Sequence, residues 1–166
     1  PIGVMGAAVA KHAGARYVRA QTVDEGIALL RRLADAQAQR RSGDRSYRLD
    51  HAAYAGFYED FVRHNLASGR CVMSALLAGE DEFVAAMFSV YDGERLTMLR
   101  MAIGRDDWKA CGPGKLLLER TIADLHQQGC REFDLAIGDY VHKRVFQTTP
   151  VTLHDSCIAL SLRGQP

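Results

Sequence analysis

The feature that most constrains the fold is a block of three apolar runs in the middle of the chain. Each run has the length of a β-strand, and short polar segments separate them: Cys71–Ala78, Phe83–Tyr91 and Leu96–Ile103. The second separator contains Asp92-Gly93, a pair typical of type I′ hairpin turns, in which both central residues have positive φ. The pattern predicts an antiparallel meander at the centre of a sheet.

Helical patterns precede this meander. Arg16–Ala20 is a candidate short strand, and Thr22 and Glu25 have the spacing of a capping box that opens a helix from Val23 to about Arg40. A polar loop then leads to Asp50, a candidate cap for a second helix that stops before Gly69. This second helix carries an aromatic stripe, which we interpret as core, with the wall of an acyl pocket as the alternative: Tyr54, Phe57, Tyr58 and Phe61.

A third helix and short strands follow the meander. The third helix is expected from Pro113 to about Gln128, because Pro suits the first helical turn and Gly129 suits the end. After it we predict three further segments: a strand over Glu132–Ile137, a turn or short helix over Gly138–Phe146, and one or two closing strands over Val151–Leu162. The order of elements predicts a mixed α/β (α+β-like) fold, with a mostly antiparallel sheet and helices on both faces.

Composition limits the classes of protein to consider. A chain of 166 residues, 48% of them hydrophobic, suits a single domain with its own core. A net charge of +1 argues against a dedicated nucleic-acid binder, and no apolar run approaches the roughly 20 residues of a membrane span. The four cysteines include no C-x-x-C pair, so we expect no metal site and interpret them as reduced thiols of a cytoplasmic protein.

The segment from Lys109 to Lys115 carries the strongest chemical signal. It lies between the last strand of the meander and the third helix, and it contains Gly112 and Gly114, which let a ligand approach the backbone closely. Amides at a helix start attract anions, and the two lysines add positive charge, so the segment suits a diphosphate. The alternative is ordinary Gly and Pro punctuation at a helix start. Neither the P-loop motif nor G-x-G-x-x-G is present.

The pattern Lys109-x-x-Gly112-x-Gly114 resembles the coenzyme-A loop of GNAT acyltransferases, in which the first position is Gln or Arg. More narrowly, the chain resembles the cellulose-biosynthesis-like branch of that superfamily, which is related to the Fem-type aminoacyl transferases. The matching pieces occur in the same order: Pro113 to Leu118, then Gly129 with Phe133-Asp134-Leu135, then Gly138-Asp139, Lys143 and Phe146. The resemblance implies a GNAT-type sheet and an acyl-coenzyme A co-substrate. Because the branch usually has a further N-terminal half, this single domain is interpreted as the C-terminal half of a longer protein or a short relative.

The resemblance also implies roles for particular residues. Cofactor-binding groups are expected from the backbone at Met101 and Ile103, and from the loop residues Lys109, Gly112, Gly114 and Lys115. Lys143 is the first catalytic candidate, as a stabiliser of negative charge, with a solvated surface lysine as the alternative. The other candidates are Asp134 as a base or amine-binding anion, His142 for proton transfer, and Tyr140 as a proton donor to the thiolate. For Asp134 a structural role, and for His142 a surface position, are the alternatives.

The predicted function is transfer of an acyl group from acyl-coenzyme A to an amine on a sugar, an amino acid or a cell-envelope precursor. Two alternatives keep the fold: a Fem-type transferase that uses aminoacyl-tRNA, and a non-catalytic binding or assembly domain. No membrane partner is expected, and a homodimer stays open.

Overall fold

The computed structural model describes residues 14–40, 52–104, 108, 111–138, 141–144, 146 and 148–154. Within these ranges the chain forms five strands: β1 (Arg16–Arg19), β2 (Cys71–Ala78), β3 (Glu82–Tyr91), β4 (Arg95–Ile103) and β5 (Glu132–Asp134). It also forms four helices: α1 (Val23–Arg40), α2 (Ala52–Asn65), α3 (Pro113–Gln127) and α4 (Val141–Arg144).

The strands form one sheet in the order β1-β2-β3-β4-β5. The first three pairings are antiparallel, and only β4 and β5 run parallel. Strand β2 is buried along its whole length, which explains why its sequence is a continuous apolar run rather than an alternating one. The predicted meander is confirmed, with each strand boundary within one residue of the expected position.

Helices cover both faces of the sheet, as predicted. On one face, alternate β2 side chains such as Met73 and Ala75 pack in a core cluster with residues of α1 and α2. On the other face Leu76 packs with α3, and the buried Ser74 hydroxyl lies 2.9 Å from that of Thr121 on α3. The Thr121 hydroxyl in turn donates to the Leu117 carbonyl, so these buried hydroxyls have partners.

Side chains at the start of α1 accept hydrogen bonds from its first backbone amides. The amide of Glu25 donates to Thr22 Oγ1 at 3.3 Å, and the amide of Thr22 donates to Glu25 Oε2 at 3.2 Å. The amide of Gln21 also donates to Glu25 Oε2, at 2.7 Å. These backbone donors lower the pKa of the Glu25 carboxyl. The predicted capping box is confirmed.

The aromatic stripe on α2 divides into two halves. Tyr58 and Phe61 pack against the buried Phe88 of β3, with ring centroids 5.4 and 5.9 Å apart. Tyr54 and Phe57 are 49% and 60% exposed. The interpretation of the whole stripe as core is therefore correct for one half and wrong for the other.

The turn between β3 and β4 differs from the predicted type I′ turn. Gly93 has a φ of 110°, but Asp92 does not have a positive φ. The Asp92 carboxylate instead accepts hydrogen bonds from the amides of Glu94 and Arg95, at 3.0 and 2.7 Å. A local side-chain bond therefore shapes this turn in place of the paired left-handed residues.

The strand predicted over 132–137 is shorter than expected. It ends at Asp134, because Ala136 has a φ of 58° and its amide donates to Asp134 Oδ1 at 2.7 Å, which turns the chain. The first four residues of the predicted closing strands, 151–154, form no strand, and 155–162 lie outside the described residues. Asp50 and the loop before it also lie outside them.

Candidate active site

The site is built around the place where β4 and β5 separate. The two strands pair over only three positions, Arg95, Leu96 and Thr97 on β4 with Glu132, Phe133 and Asp134 on β5. Strand β4 then continues to Ile103, still paired with β3 on its other side. Beyond Thr97, β4 has no neighbouring strand on its β5 side among the described residues. We call this side of β4 beyond Thr97, which no strand of the described residues covers, the opening.

The backbone of Met101 and Ile103 faces this opening. The amide of Gly104 donates to the Val84 carbonyl at 2.8 Å, so Gly104 directs its backbone groups towards β3. In an antiparallel pair the direction alternates from residue to residue, which turns the amides and carbonyls of Ile103 and Met101 away from β3. Consistent with this, the Met101 carbonyl accepts a bond from the side chain of Gln37, at 3.2 Å. These are the two strand residues that the sequence analysis selected.

The start of helix α3 is formed by a glycine and a proline. Gly112 at the N-cap position is left-handed, with φ 62° and ψ 46°, and Pro113 follows it. No side-chain hydrogen bond among the described residues caps this start, and no acidic residue occupies the first turn. The Gly112 carbonyl accepts from the amides of Lys115 and Leu116, at 3.0 and 3.2 Å. A side chain at Gly112 would be strained, so the residue type follows from the backbone conformation.

The helix start and the opening are adjacent. A Cβ atom added to Gly114 would lie 3.3 Å from Met101 Sδ and 3.6 Å from Ile103 Cδ1. Gly114 therefore allows the first turn of α3 to pack closely on the free end of β4. The structure brings together four of the predicted cofactor-binding residues (Met101, Ile103, Gly112 and Gly114), with the half-buried Lys115 beside them. Lys109 lies outside the described residues.

Lys143 is buried, with only 7% of its surface exposed. Its Nζ donates to the carbonyls of Ala136 and Ile137, both at 2.7 Å, and so holds the turn that follows β5. The alternative of a solvated surface lysine is therefore wrong. Its catalytic role stays a prediction.

The other catalytic candidates are less completely described. Asp134 is exposed, and its carboxylate holds the amide of the left-handed Ala136, which gives it a structural function in this turn. Its role as a base stays a prediction. His142 belongs to α4, but its side chain lies outside the described residues, as does Tyr140. Their roles also stay predictions.

Sequence reasoning missed two polar residues beside the opening. Arg100 on β4 is only 7% exposed, and its Nε donates to Gln37 Oε1 on α1 at 2.9 Å. Its guanidinium carbon lies 4.9 Å from the centroid of the Tyr58 ring. An arginine inside an apolar strand was a signal that could have been used, since a buried charge requires partners.

A cavity of about 450 Å³ lies elsewhere, between α3 and the β1 edge of the sheet. It is lined by residues such as Tyr17, Leu116, Arg120 and Asp124, and not by the loop or the free end of β4. The Tyr17 hydroxyl donates to Asp124 at 3.0 Å, and burial raises the pKa of Tyr17. This cavity is not part of the candidate site.

The described residues contain neither a metal-binding cluster nor a membrane-spanning helix. No group of three or more His, Cys, Asp or Glu side chains among them could hold a metal ion. None of the helices among them combines the length and apolar character that a membrane span needs.

Solved structures share this fold. A GCN5-related N-acetyltransferase from Ralstonia eutropha superposes with a TM-score of 0.64 at 16% identity, covering 87% of this chain and 99% of that one. An aminoglycoside acetyltransferase from an uncultured soil metagenomic sample, in complex with sisomicin, has a TM-score of 0.58 at 14% identity and covers 89% of this chain and 96% of that one. A predicted acetyltransferase from Clostridium acetobutylicum, solved with acetyl-CoA, has a TM-score of 0.53 at 12% identity, with coverages of 91% and 98%.

Sequence comparison gives the family. No curated protein matches the chain. The model of a family described as "Acetyltransferase (GNAT) domain" matches residues 7–144, well over half of the chain. The narrower cellulose-biosynthesis-like branch is not distinguished by this match. The chain belongs to the GNAT acetyltransferase family.

Proposed function

We propose that this protein transfers an acetyl group from acetyl-coenzyme A to an amine of a small molecule. One observation carries the proposal: the first turn of α3, which no described side chain caps, packs at Gly114 against the end of β4 whose backbone faces the opening. A diphosphate suits such a helix start, because backbone amides without a side-chain cap and the helix dipole both favour an anion. Lys115 adds positive charge beside it.

The backbone of β4 is suited to binding the rest of the acetyl-coenzyme A molecule. An extended amide-containing arm can bond to a strand edge as a neighbouring strand would, and Ile103 offers that edge, since the Met101 carbonyl already accepts from Gln37. The thioester carbonyl then lies beside the Met101 amide. That amide would stabilise the oxyanion that forms when the amine attacks.

The reaction also requires proton transfers, and the candidates keep their predicted roles in the proposal. Asp134 or His142 accepts the proton that the amine loses, and Tyr140 gives one to the leaving thiolate. The Lys143 ammonium, which already bonds two carbonyls, contributes positive charge near the end of β5 rather than a proton. Each assignment is testable by substitution.

The acceptor is proposed as a small molecule that carries an amine on a sugar or an amino acid. Four of the structural neighbours are described as aminoglycoside acetyltransferases, one of them a 6′-N-acetyltransferase from Acinetobacter baumannii. They support an amine on a small molecule without identifying it. A cell-envelope precursor, as in the narrower branch, and the use of aminoacyl-tRNA are further candidates for a substrate panel.

Binding of acetyl-coenzyme A tests the proposal directly. We expect acetyl-coenzyme A, and not uncharged tRNA, to stabilise the protein in a thermal-shift assay, by roughly 2.7 kcal/mol at a hundredfold excess over Kd. Lys115→Glu should weaken binding at least tenfold in calorimetry, because it places a carboxylate beside the diphosphate. The same change should not destabilise α3, since an acidic residue suits the first turn of a helix.

Arg120→Glu is the matched control. Arg120 is exposed on the same helix but lies beside the other cavity, and its reversal changes the net charge equally. We expect it to leave acetyl-coenzyme A binding unchanged. Equal losses in both variants, or no binding to the wild-type protein, would contradict the proposed site.

A further inference from the structure

Gln37 connects helix α1 to the free end of β4. Its Nε2 donates to the Met101 carbonyl at 3.2 Å, and its Oε1 accepts from Nε of Arg100 at 2.9 Å and also from Nη2. One amide side chain therefore bonds to two consecutive residues of β4. It does so on the stretch of β4 that β5 no longer accompanies.

Arg100 is itself held firmly. It is only 7% exposed, and its guanidinium lies over the ring of Tyr58, which in turn packs against Phe88. Phe88 is the β3 residue paired with Arg100. The Oε1 atom of Gln37 is thus bound to a group fixed by the core, and this orients the Nε2 group towards Met101.

The free end of β4 needs such support. A strand between two neighbours is held by ladders on both sides, but from Met98 to Ile103 the described part of the structure has a strand on one side only. The Met101 carbonyl faces the unsupported side, next to the Met101 amide. A bond to that carbonyl also restrains the Met101 amide, because only the two backbone dihedral angles of Met101 separate the two groups.

We propose that Gln37 is a positioning residue for the reaction, which acts through the backbone of Met101. Gln37 holds the strand edge that receives the acetyl end of acetyl-coenzyme A, and Arg100 holds Gln37 in place. This inference rests on the proposed function, since it assigns to Met101 the contact with the thioester.

The test compares acetyl-coenzyme A with free coenzyme A, which lacks the acyl carbonyl but keeps the diphosphate. Gln37→Glu retains an acceptor for Arg100 and removes the donor to Met101. We expect it to weaken acetyl-coenzyme A binding about five- to tenfold, the effect of one lost hydrogen bond, and to leave coenzyme A binding unchanged. Its melting temperature should not fall, because the carboxylate pairs with the Arg100 guanidinium.

Two further variants separate the causes. Gln37→Met removes both bonds without adding charge, so it should weaken acetyl-coenzyme A binding to a similar extent and also lower the melting temperature. Gln39→Glu places the same charge on an exposed position of the same helix and should change neither ligand's affinity. A selective loss in both Gln37 variants supports the positioning role.

Three results would overturn the inference. The first is a Gln37→Glu variant that binds acetyl-coenzyme A as tightly as the wild type, which would leave Gln37 a purely structural partner of Arg100. The second is an equal loss of affinity for both ligands. The third is a wild-type protein that binds neither ligand, which would refute the proposed function and this inference with it.

Discussion

Helices α1 and α3 begin in opposite ways. At the start of α1, the side chains of Thr22 and Glu25 bond to the first amides. At the start of α3, Gly112 and Lys115 occupy the corresponding positions, and no described side chain caps the helix. Because an amide bonded to a side chain has little left to offer an anion, the α3 start, whose first turn meets no side-chain acceptor among the described residues, is the one suited to a ligand.

The starts of α1 and α3 also differ in residue type. A capping box closes a helix end by using polar side chains that accept from the backbone. The α3 start instead uses residues that bring no acceptor, and Gly114 allows it to pack directly against Met101. The absence of acceptor side chains at Gly112, Pro113, Gly114 and Lys115 is what leaves this helix end uncapped within the described part of the chain.

Thiol labelling should give the largest contrast. Cys111 is half-buried and directly precedes the α3 start, whereas Cys71 is 3% exposed and burial raises its pKa to about 12. Because Cys71 is buried and its raised pKa disfavours the thiolate, iodoacetamide should not modify it in the folded protein at pH 8. Cys111 should react, and saturating acetyl-coenzyme A should slow it, as peptide mass spectrometry can measure. An unchanged Cys111 rate with ligand would count against an occupied α3 start.

Gly112→Ala should lower the free energy of unfolding by about 1–2 kcal/mol, because alanine is strained at the left-handed φ of 62°. Urea denaturation measures this loss, and binding of acetyl-coenzyme A should weaken in parallel. Gly56→Ala is the control, since Gly56 lies within α2 with no atom near the added Cβ. That change should be neutral or stabilising. A tolerated Gly112→Ala would mean that the loop can adopt another conformation.

Thr22→Ala should cost about 1 kcal/mol of stability, the typical effect of losing a helix cap. Affinity for acetyl-coenzyme A should not change, because the proposed binding site is at the start of α3 and not at the start of α1. Denaturation and calorimetry on the same samples check both statements. A loss of affinity here would break the distinction between the two helix starts.

Glu25→Gln should have the smallest effect, and the effect should depend on pH. The folded protein lowers the pKa of Glu25, so its contribution is full above the ordinary carboxyl pKa and is lost as the pH falls through the folded value. The stability difference between variant and wild type should therefore be present at pH 7 and shrink below about pH 4. Melting temperatures across this range measure it. A difference that grows on acidification would contradict the sign.

The parts of the fold that the sequence predicted depend on local patterns. The capping box at Thr22 and the apolar runs of the meander each specify their own element, and the structure confirms both. The type of turn at Asp92 and the length of β5 were predicted wrongly. In each case an aspartate carboxylate bonds to nearby amides, and this local bond overrides the turn type or strand that the residue pattern favours.

The site was predictable only in part. Gly112 and Gly114 form a recognisable loop, and Met101 and Ile103 followed from the resemblance. The contact between Gln37 and Arg100 joins residues 63 positions apart, and no local pattern indicates such a pair. Their meeting depends on how α1 crosses the finished sheet.

The three-residue contact between β4 and β5 has a consequence for how this protein can change over time. The opening beside β4 is bordered by peptide groups, which keep their hydrogen-bonding character whichever side chains the strand carries. The backbone hydrogen-bonding pattern should therefore survive many side-chain substitutions along this edge. Such changes should alter the shape of the opening more than its pattern of backbone donors and acceptors.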